Sequence, residues 1–572
     1  MRIDRFRNRV AARRAGRLRV NTRFLIQPEP RSIGSFARGK QLCAGNLSFD
    51  GHLVAQEGRS PWDIAPPTPG FTGELHGFGW LDDLAAVGDG AARACAQLWL
   101  IQWLERFASG SGPAWEPAMT GRRLIRWIAH APFLIRAQSD ENVVRFLESL
   151  AQQSRFLEKR WRASARGLPR LEALAGLIHA GSVLEDMPFD TRDFAEALAQ
   201  NCNHDVDEEG GVDTRNPEQL LEVFTLLVWS ALVLAETDQD PFPDHLAAIS
   251  RIAPTLRSLR HADGGLARFH GGGRGLDGRL DAALAASGVK ARKTNGLAMG
   301  FARMSAGRTS MIVDAAPPPS GAASVHAHAS TLAFEMTSGR RPVIVNCGSG
   351  TSFGPDWRRA GRATPSHSAL VLNAQSSSQL GQSGKTADQL SHTPQDVSVV
   401  LGRATDGIAF EGGHDGYKAG FGLTHMRKLE MTLDGRGIAG EDILLAIDET
   451  DKNTCDRALR TLGVQGLPFD IRFHLHPDVD ASVDMNGMAV SLALKSGEIW
   501  IFRFDITTRL SVEPSVYLER NRLTPRSTKQ IVLSGRTLGY ATRMRWSLSK
   551  PQGSPVGIRD LAHAGESPVA VT

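Results

Sequence analysis

The chain has 572 residues, of which 41% are hydrophobic and 22% charged, and this length exceeds what one hydrophobic core can organise. The composition is that of a globular protein and excludes a disordered chain. The formal net charge is only +5, but residues 1–40 contain twelve lysines or arginines against two acids. Such an arm could meet an acidic partner such as nucleic acid or anionic lipid. We expect instead a solvated, poorly ordered arm over residues 1–44, and no nucleic-acid partner.

The sequence predicts no membrane-spanning segment. The most apolar run, 220–235, contains Glu222 and fits a buried helix better. The arginine-rich start lacks the apolar core of a secretory signal. Five cysteines lie far apart and form no CxxC pair, which agrees with a reducing compartment. From the residues alone we therefore expect a cytoplasmic protein.

Residues 45–290 are predicted to be helical. In 141–158, Val143, Phe146, Leu147 and Leu150 recur at helical spacing. The same pattern recurs in 91–108, 122–137, 170–185, 192–201, 218–236 and 245–260. Helices of this length joined by short loops fit an α/α barrel or toroid as well as a bundle.

A glycine-rich break at 262–278 precedes a change of pattern, and residues 291–550 are predicted to form an antiparallel β-sandwich. The expected strands are 309–314, 331–337, 341–347, 425–433, 443–449, 471–476, 489–494 and 498–504. In 471–476 the alternation predicts that His474 and His476 lie on a solvated face. Residues 551–572 are expected to be a C-terminal tail.

The densest group of chemically useful residues lies in 324–350 and 361–370. Strands 331–337 and 341–347 form a plausible hairpin, which brings His328 and Asn346 to the same open end, and His367 could fold back to them. Two imidazoles and an amide oxygen that converge in this way could hold one structural zinc ion. They could equally be polar residues on a strand rim, because their spacing matches no local metal motif and Asn is a poor ligand.

The residues from 326 onward resemble the heparinase II/III family of polysaccharide lyases. The pattern is H-x-H, five residues and Phe, then V-N-x-G, W-R and S-H-S before an apolar strand. The segments HGFGWLDDL (76–84) and DEEGGVDTRNPEQLLE (207–222) are also similar to members of this family. The resemblance implies an N-terminal α/α toroid (an incomplete barrel), a C-terminal antiparallel β-sandwich, and a place in the cell envelope or periplasm.

The resemblance also implies β-elimination on an acidic, uronic-acid-containing polysaccharide. That reaction needs a group that neutralises the C5 carboxylate, a base for the C5 proton and an acid for the leaving oxygen. By the family pattern, His326 matches the proton-transferring histidine, and His328 and His367 match metal ligands. Asn346 stands where the family often has Asp, and this exchange weakens the expectation of a metal.

The tyrosines depart from the family pattern. The chain has three, Tyr417, Tyr517 and Tyr540, and all lie in the β half, whereas lyases of the family carry the catalytic tyrosine in the helical half. The segment nearest to that position offers Arg215 and Asn216 as substitute catalytic residues. We predict that an acidic substrate is bound by Arg268, His270 and Arg358, because guanidinium groups pair well with carboxylates.

Three functional hypotheses remain open at this stage. The first is a lyase that cleaves an acidic glycan in a cleft between the two halves, and the set of His326, His328 and His367 favours it. The second is a catalytically degenerate member that acts as a glycan-binding or cell-envelope assembly protein, and the missing tyrosine favours it. The third is a hydrolase, which would need paired carboxylates facing the cleft.

Overall fold

The computed structural model describes residues 2–551, apart from 20–21, 57, 293–295, 383 and 521. The predicted C-terminal tail, from residue 552 onward, lies outside the described residues.

The α-helices are α1 (Arg2–Ala15), α2 (Phe36–Cys43), α3 (Pro69–Gly77), α4 (Trp80–Val87), α5 (Gly90–Phe107), α6 (Pro117–Ala129), α7 (Ala131–Ile135), α8 (Asp140–Arg160), α9 (Leu168–Val183), α10 (Thr191–Asp205), α11 (Pro217–Glu236), α12 (Pro243–Ser258), α13 (Arg279–Ala286), α14 (Pro355–Gly361), α15 (Lys418–Phe421) and α16 (Glu449–Leu462).

The β-strands are β1 (Asn46–Phe49), β2 (His52–Ala55), β3 (Phe301–Ala306), β4 (Thr309–Asp314), β5 (Phe334–Ser338), β6 (Arg341–Val345), β7 (Leu370–Leu372), β8 (Gln379–Leu380), β9 (Leu390–His392), β10 (Val397–Ala404), β11 (Gly407–His414), β12 (Thr424–Thr432), β13 (Gly437–Leu445), β14 (Leu467–Leu475), β15 (Val479–Asp484), β16 (Ala489–Leu494), β17 (Ile499–Phe504), β18 (Arg509–Tyr517), β19 (Arg526–Thr537) and β20 (Ala541–Ser549).

The basic arm is not a loose tail in the part that the structure describes. Residues Arg2–Ala15 form α1, whose Ala12 and Ala15 are buried, and Arg160 of α8 donates a hydrogen bond to Asn8 at 2.7 Å. The small alanine side chains let α1 lie on α8, while its arginines project to solvent. The sequence led us to expect a poorly ordered arm because it is rich in positive charge. Net charge does not reveal that one side of a helix is apolar and can pack against the protein.

The helical half is built on close contacts between amphipathic helices. Gly121 of α6 and Gly176 of α9 lie back to back, and a Cβ on Gly176 would be 2.5 Å from the Gly121 Cα. No larger residue fits this approach. Among the described residues, α11 is the one helix long and apolar enough to cross a membrane, and 67% of its most apolar window is buried inside the protein. It is the buried helix that the sequence predicts over 220–235.

The β half contains two large antiparallel sheets that enclose an apolar core. One sheet has the strand order β10-β11-β12-β13-β20-β17-β16-β15, and the other has the order β18-β19-β14-β6-β5-β4-β3, with β7 paired to β14. Inward-facing residues such as Phe473, Phe502 and Trp546 pack ring against ring between the sheets. The predicted fold class, a helical α/α domain followed by an antiparallel β-sandwich, is confirmed.

The prediction for His474 and His476 is wrong. Both side chains are buried, and His474 Nε2–H donates to the Pro365 carbonyl at 2.9 Å. The segment around residue 365 covers the outer face of β14 at its His474 end, so both faces of the strand are buried there.

Candidate functional site at the junction of the two halves

Two of the predicted metal ligands contact each other directly. His328 Nδ1 and His367 Nε2 are 3.0 Å apart, and both side chains are buried. His367 Nδ1–H donates to the Ala363 carbonyl at 2.9 Å, so its Nε2 accepts the proton carried by His328 Nδ1. Burial lowers the pKa of His367 to about 4 and holds the pKa of His328 well below its ordinary value. The two imidazoles form a neutral, hydrogen-bonded pair.

This pair fits a structural zinc ion poorly. A structural zinc takes four nitrogen, sulfur or carboxylate donors. The third predicted ligand, Asn346, accepts a hydrogen bond from the Ser368 N–H with its amide oxygen, at 3.0 Å. Within residues 2–551 as described, no group of three or more His, Cys, Asp or Glu residues is arranged to hold a metal. The zinc site stays a prediction.

A third histidine, His270, links this pair to the helical half. His270 Nδ1 accepts the backbone N–H of His328 at 3.2 Å, and its Nε2 lies 3.4 Å from Asp314 Oδ2. Burial lowers the pKa of His270. Burial alone would raise the pKa of Asp314, but Arg215 and His270 hold it far below its usual range. Asp314, at the end of β4, is therefore a buried carboxylate, and no local sequence motif marked it.

Arg215 is committed to structure. All five of its N–H donors are used, across the boundary between the halves. The acceptors, at 2.6–3.1 Å, are the carbonyls of Met299, Gly300, Ala316 and Pro317 and the Asp314 carboxylate. Its guanidinium also lies 4.7 Å from the Phe301 ring centroid. The expected catalytic role of Arg215 does not agree with this geometry, because no donor is left for a substrate.

Asn216 caps α11. Its side-chain oxygen accepts the backbone N–H groups of Glu218 and Gln219 at 3.0 and 3.1 Å, and Pro217 follows at the first helical position. Because the Asn216 side chain is used to cap the first turn of α11, it stabilises that helix and is not positioned to bind a substrate carboxylate. The structure therefore places both substitutes for the family tyrosine in supporting positions.

Arg268 is also buried and paired. Its backbone N–H and Nη2 donate to Glu335 at 2.9 and 3.3 Å, Nη2 donates to the Asn346 carbonyl at 2.9 Å, and its guanidinium lies 4.2 Å from the Tyr517 ring centroid. Burial raises the pKa of Tyr517 to about 12. Arg268 and His270, predicted to bind substrate, both lie inside the protein instead of on a cleft surface.

His326 is the exception, because it is exposed. It ends a short 3₁₀ turn that packs against the glycine-rich segment of the helical half, and a Cβ on Gly271 would be 3.2 Å from the His326 Cβ. Partial burial and then the positive charges of Arg358, Arg362 and Arg520 lower its pKa. Of the site residues predicted from the sequence, His326 is exposed and Arg358 is partly exposed.

The arginines around His326 mainly hold its backbone. Arg358 Nη2 donates to the Val325 carbonyl at 2.8 Å, and its Nη1 donates to Asp388 at 2.7 Å. The buried Arg362 donates to the carbonyls of Ser324 and Ala327, both at 2.7 Å. Sequence reasoning missed Arg362 because its acceptors are backbone atoms, which leave no pattern of residue types.

Two of the three tyrosines, Tyr417 and Tyr540, use their phenol hydroxyls in hydrogen bonds within the β half. Tyr417 Oη donates to the Leu370 carbonyl at 2.7 Å, and burial raises its pKa. The exposed Tyr540 donates to Asp456 at 2.9 Å.

The polar interior of the helical half is closed by its own ion pairs. Arg122 forms two hydrogen bonds with Glu172, at 2.9 and 3.0 Å, and Arg279 forms two with Glu222, at 2.6 and 2.7 Å. In such bidentate pairs two N–H groups of the guanidinium bind both oxygens of the carboxylate. These arginines are consequently not available to neutralise a substrate carboxylate.

A helical toroid-like half, an antiparallel β-sandwich and histidines at their junction together define a polysaccharide-lyase-like protein. The chain belongs to the heparinase II/III-like family. Residues 289–547 match the family model "Heparinase II/III-like, C-terminal". Over 539 residues the chain is 32% identical to FtsZ-localized protein C of Caulobacter vibrioides, covering 92% of this chain and 90% of that protein.

Solved structures of lyases share this fold. Heparinase III aligns with a TM-score of 0.67 at 14% identity, over 96% of this chain and 90% of its own. The heparan sulfate lyase HepC mutant from Pedobacter heparinus aligns with a TM-score of 0.59, also at 14% identity, over 96% and 89% of the two chains. At this identity the likeness shows the fold alone.

Proposed function

We propose that this chain is a heparinase II/III-like protein without eliminase chemistry, which acts as an assembly protein of the cell envelope at the division site. One observation carries the proposal: Arg215 and Asn216, in the segment nearest to the family's catalytic tyrosine, are bound into the junction and the α11 cap. β-Elimination needs three cooperating groups, and of the three predicted catalytic residues only His326 is exposed.

Similarity to FtsZ-localized protein C supports the second half of the proposal. FtsZ-localized protein C is similar to this chain along nearly all of both sequences, so the helical half is shared as well as the β half. By its name that protein is found with FtsZ. We extend the location to this chain, on the cytoplasmic side of the envelope.

Two features of the chain support this location. All five cysteines are free thiols, which fits a reducing compartment. The arginines of α1 are exposed next to the exposed Ile3 and Phe6. A helix that combines basic and apolar side chains on its surface is typical of segments that bind anionic lipid.

Two measurements test the proposal. The purified protein should produce no absorbance at 232 nm, the signature of an unsaturated uronyl product, on a panel of heparan sulfate, chondroitin sulfate, alginate and hyaluronate, with a heparinase III preparation as the positive control. It should co-sediment with polymers of FtsZ from the same organism. Product formation on any of these glycans would overturn the loss of chemistry, and absence from the FtsZ pellet would overturn the division-site role.

A lyase remains a second candidate because His326 is accessible and lies near three arginines. If the 232 nm assay detects product, His326→Ala should reduce the rate by about 10²–10⁴, the usual contribution of one general acid–base group. Arg358→Lys keeps the positive charge beside His326 and serves as the control. Full turnover by His326→Ala would exclude this histidine from the chemistry.

A further inference from the structure

The sheet that begins at β10 has two edges of very different character. At one end, β10 reads VSVVLGRA and pairs, in the part of the chain that the structure describes, with β11 alone. Val400 is 66% exposed, and Leu401 and Arg403 are exposed beside it. An eight-residue strand of this kind presents a row of open backbone groups and apolar side chains to solvent.

The other edges of the two large sheets carry the features that prevent strand addition. β15, at the opposite end of the same sheet, carries Asp480 and Asp484. β18 carries Glu513 and Pro514. β3 is mostly buried and lies against β11 and β12 of the other sheet. Charges, prolines and coverage are the usual protections of an edge, and β10 has only Arg403 near its end.

We propose that β10 is the dimer interface of this protein and that its occupant is β10 of a second copy. A two-fold axis normal to the sheet pairs the strands antiparallel and keeps every side chain on its own face. Because faces alternate along a strand, residues that oppose each other must then lie an even number of positions apart.

The sequence of β10 satisfies this condition with complementary pairs. With the axis through Val400, that residue opposes its own copy, Val399 opposes Leu401, and Val397 opposes Arg403. No like charges face each other, and the central pairs are apolar and β-branched or large, which are the pairs that stabilise antiparallel strands. Both copies contribute the same strand, β10, to this two-fold interface. The edge is therefore fully used when two copies pair, and the assembly cannot continue into a filament.

The dimer joins one eight-stranded sheet from each copy into a single continuous sheet. It uses none of the residues at the junction of the halves. The inference therefore stands independently of whether the chain is a lyase or an assembly protein.

Three variants test the interface by light scattering coupled to size-exclusion chromatography. The wild type should elute with twice the mass of the chain. Val400→Lys puts two ammonium groups opposite each other at the axis and should give the monomer mass. Val483→Lys makes the same change at the 53% exposed position on β15, the opposite edge, and should remain a dimer.

A second measurement separates this interface from any other. Val400→Cys should form a disulfide-linked dimer on mild oxidation, because opposing residues of an antiparallel pair have Cβ atoms about 4.5–5.5 Å apart, whereas Val483→Cys and the wild type should not. Thermal unfolding should show that Val400→Lys is folded. A wild type of single-chain mass at every concentration, or a Val400→Lys variant that stays dimeric, would overturn the proposal; a peptide partner that binds monomeric wild type at this edge would do so too.

Discussion

The junction of the two halves contains two regions that the family pattern treats as one site. Around Asp314 the side chains are buried and hydrogen-bonded to each other, while His326 is exposed and held in place through its backbone neighbours. A matched motif therefore does not establish a shared function. The buried region behaves as a structural joint, and the exposed region alone could meet a ligand.

The largest expected difference between the regions lies in their carboxylates. Asp314→Ala leaves Arg215 buried without a counter-charge, and removing one partner of a buried pair costs about 3–5 kcal/mol. Asp388→Ala removes the exposed partner of Arg358 and should cost about 0–1 kcal/mol. Urea unfolding followed by tryptophan fluorescence measures both changes. Equal losses would show that the buried region is no more structural than the exposed one.

The buried histidines should also make stability depend on pH. His367 has a pKa near 4 in the folded protein and an ordinary value of 6.5 when unfolded. Between these values the unfolded chain binds a proton that the folded chain does not, so stability is complete above pH 6.5 and falls as the pH drops toward 4. His367→Gln, which cannot be protonated, should lose less stability over this window than the wild type. Parallel curves for the two proteins would contradict the assignment of a neutral pair.

Much of the fold could be predicted because burial leaves a periodic pattern. The seven helical segments predicted between residues 91 and 260 correspond to helices in the structure, since each presents one apolar side to the core. β10 and β18 were missed. In β10 three apolar residues, Val399, Val400 and Leu401, follow one another, so the period-2 signal is weak. In β18 the residues alternate from Arg509 to Glu513, but Pro514 interrupts the run and argues against a strand.

The site was harder to predict because its contacts join distant parts of the chain. Arg215 and Asp314 are 99 residues apart, and the other four acceptors of Arg215 are all backbone carbonyls. Residue types alone do not reveal such bonds. His474 was misplaced for a related reason: alternation shows that it faces away from the sandwich core, but not that another part of the chain covers that face.

The smallest expected effect is that of metal removal. If the histidine pair is satisfied by its own hydrogen bond, stripping the purified protein with EDTA should leave its melting temperature unchanged, and elemental analysis should find far less than one zinc per chain. Zinc added back should not raise the melting temperature either, since a ligand stabilises only by binding the folded state. His328→Gln serves as the control, because it removes one imidazole of the pair while retaining an amide. A stoichiometric zinc whose loss lowers the melting temperature of the wild type, but not of His328→Gln, would show that His328 and His367 turn toward a metal. The buried region would then be a metal centre as well as a joint.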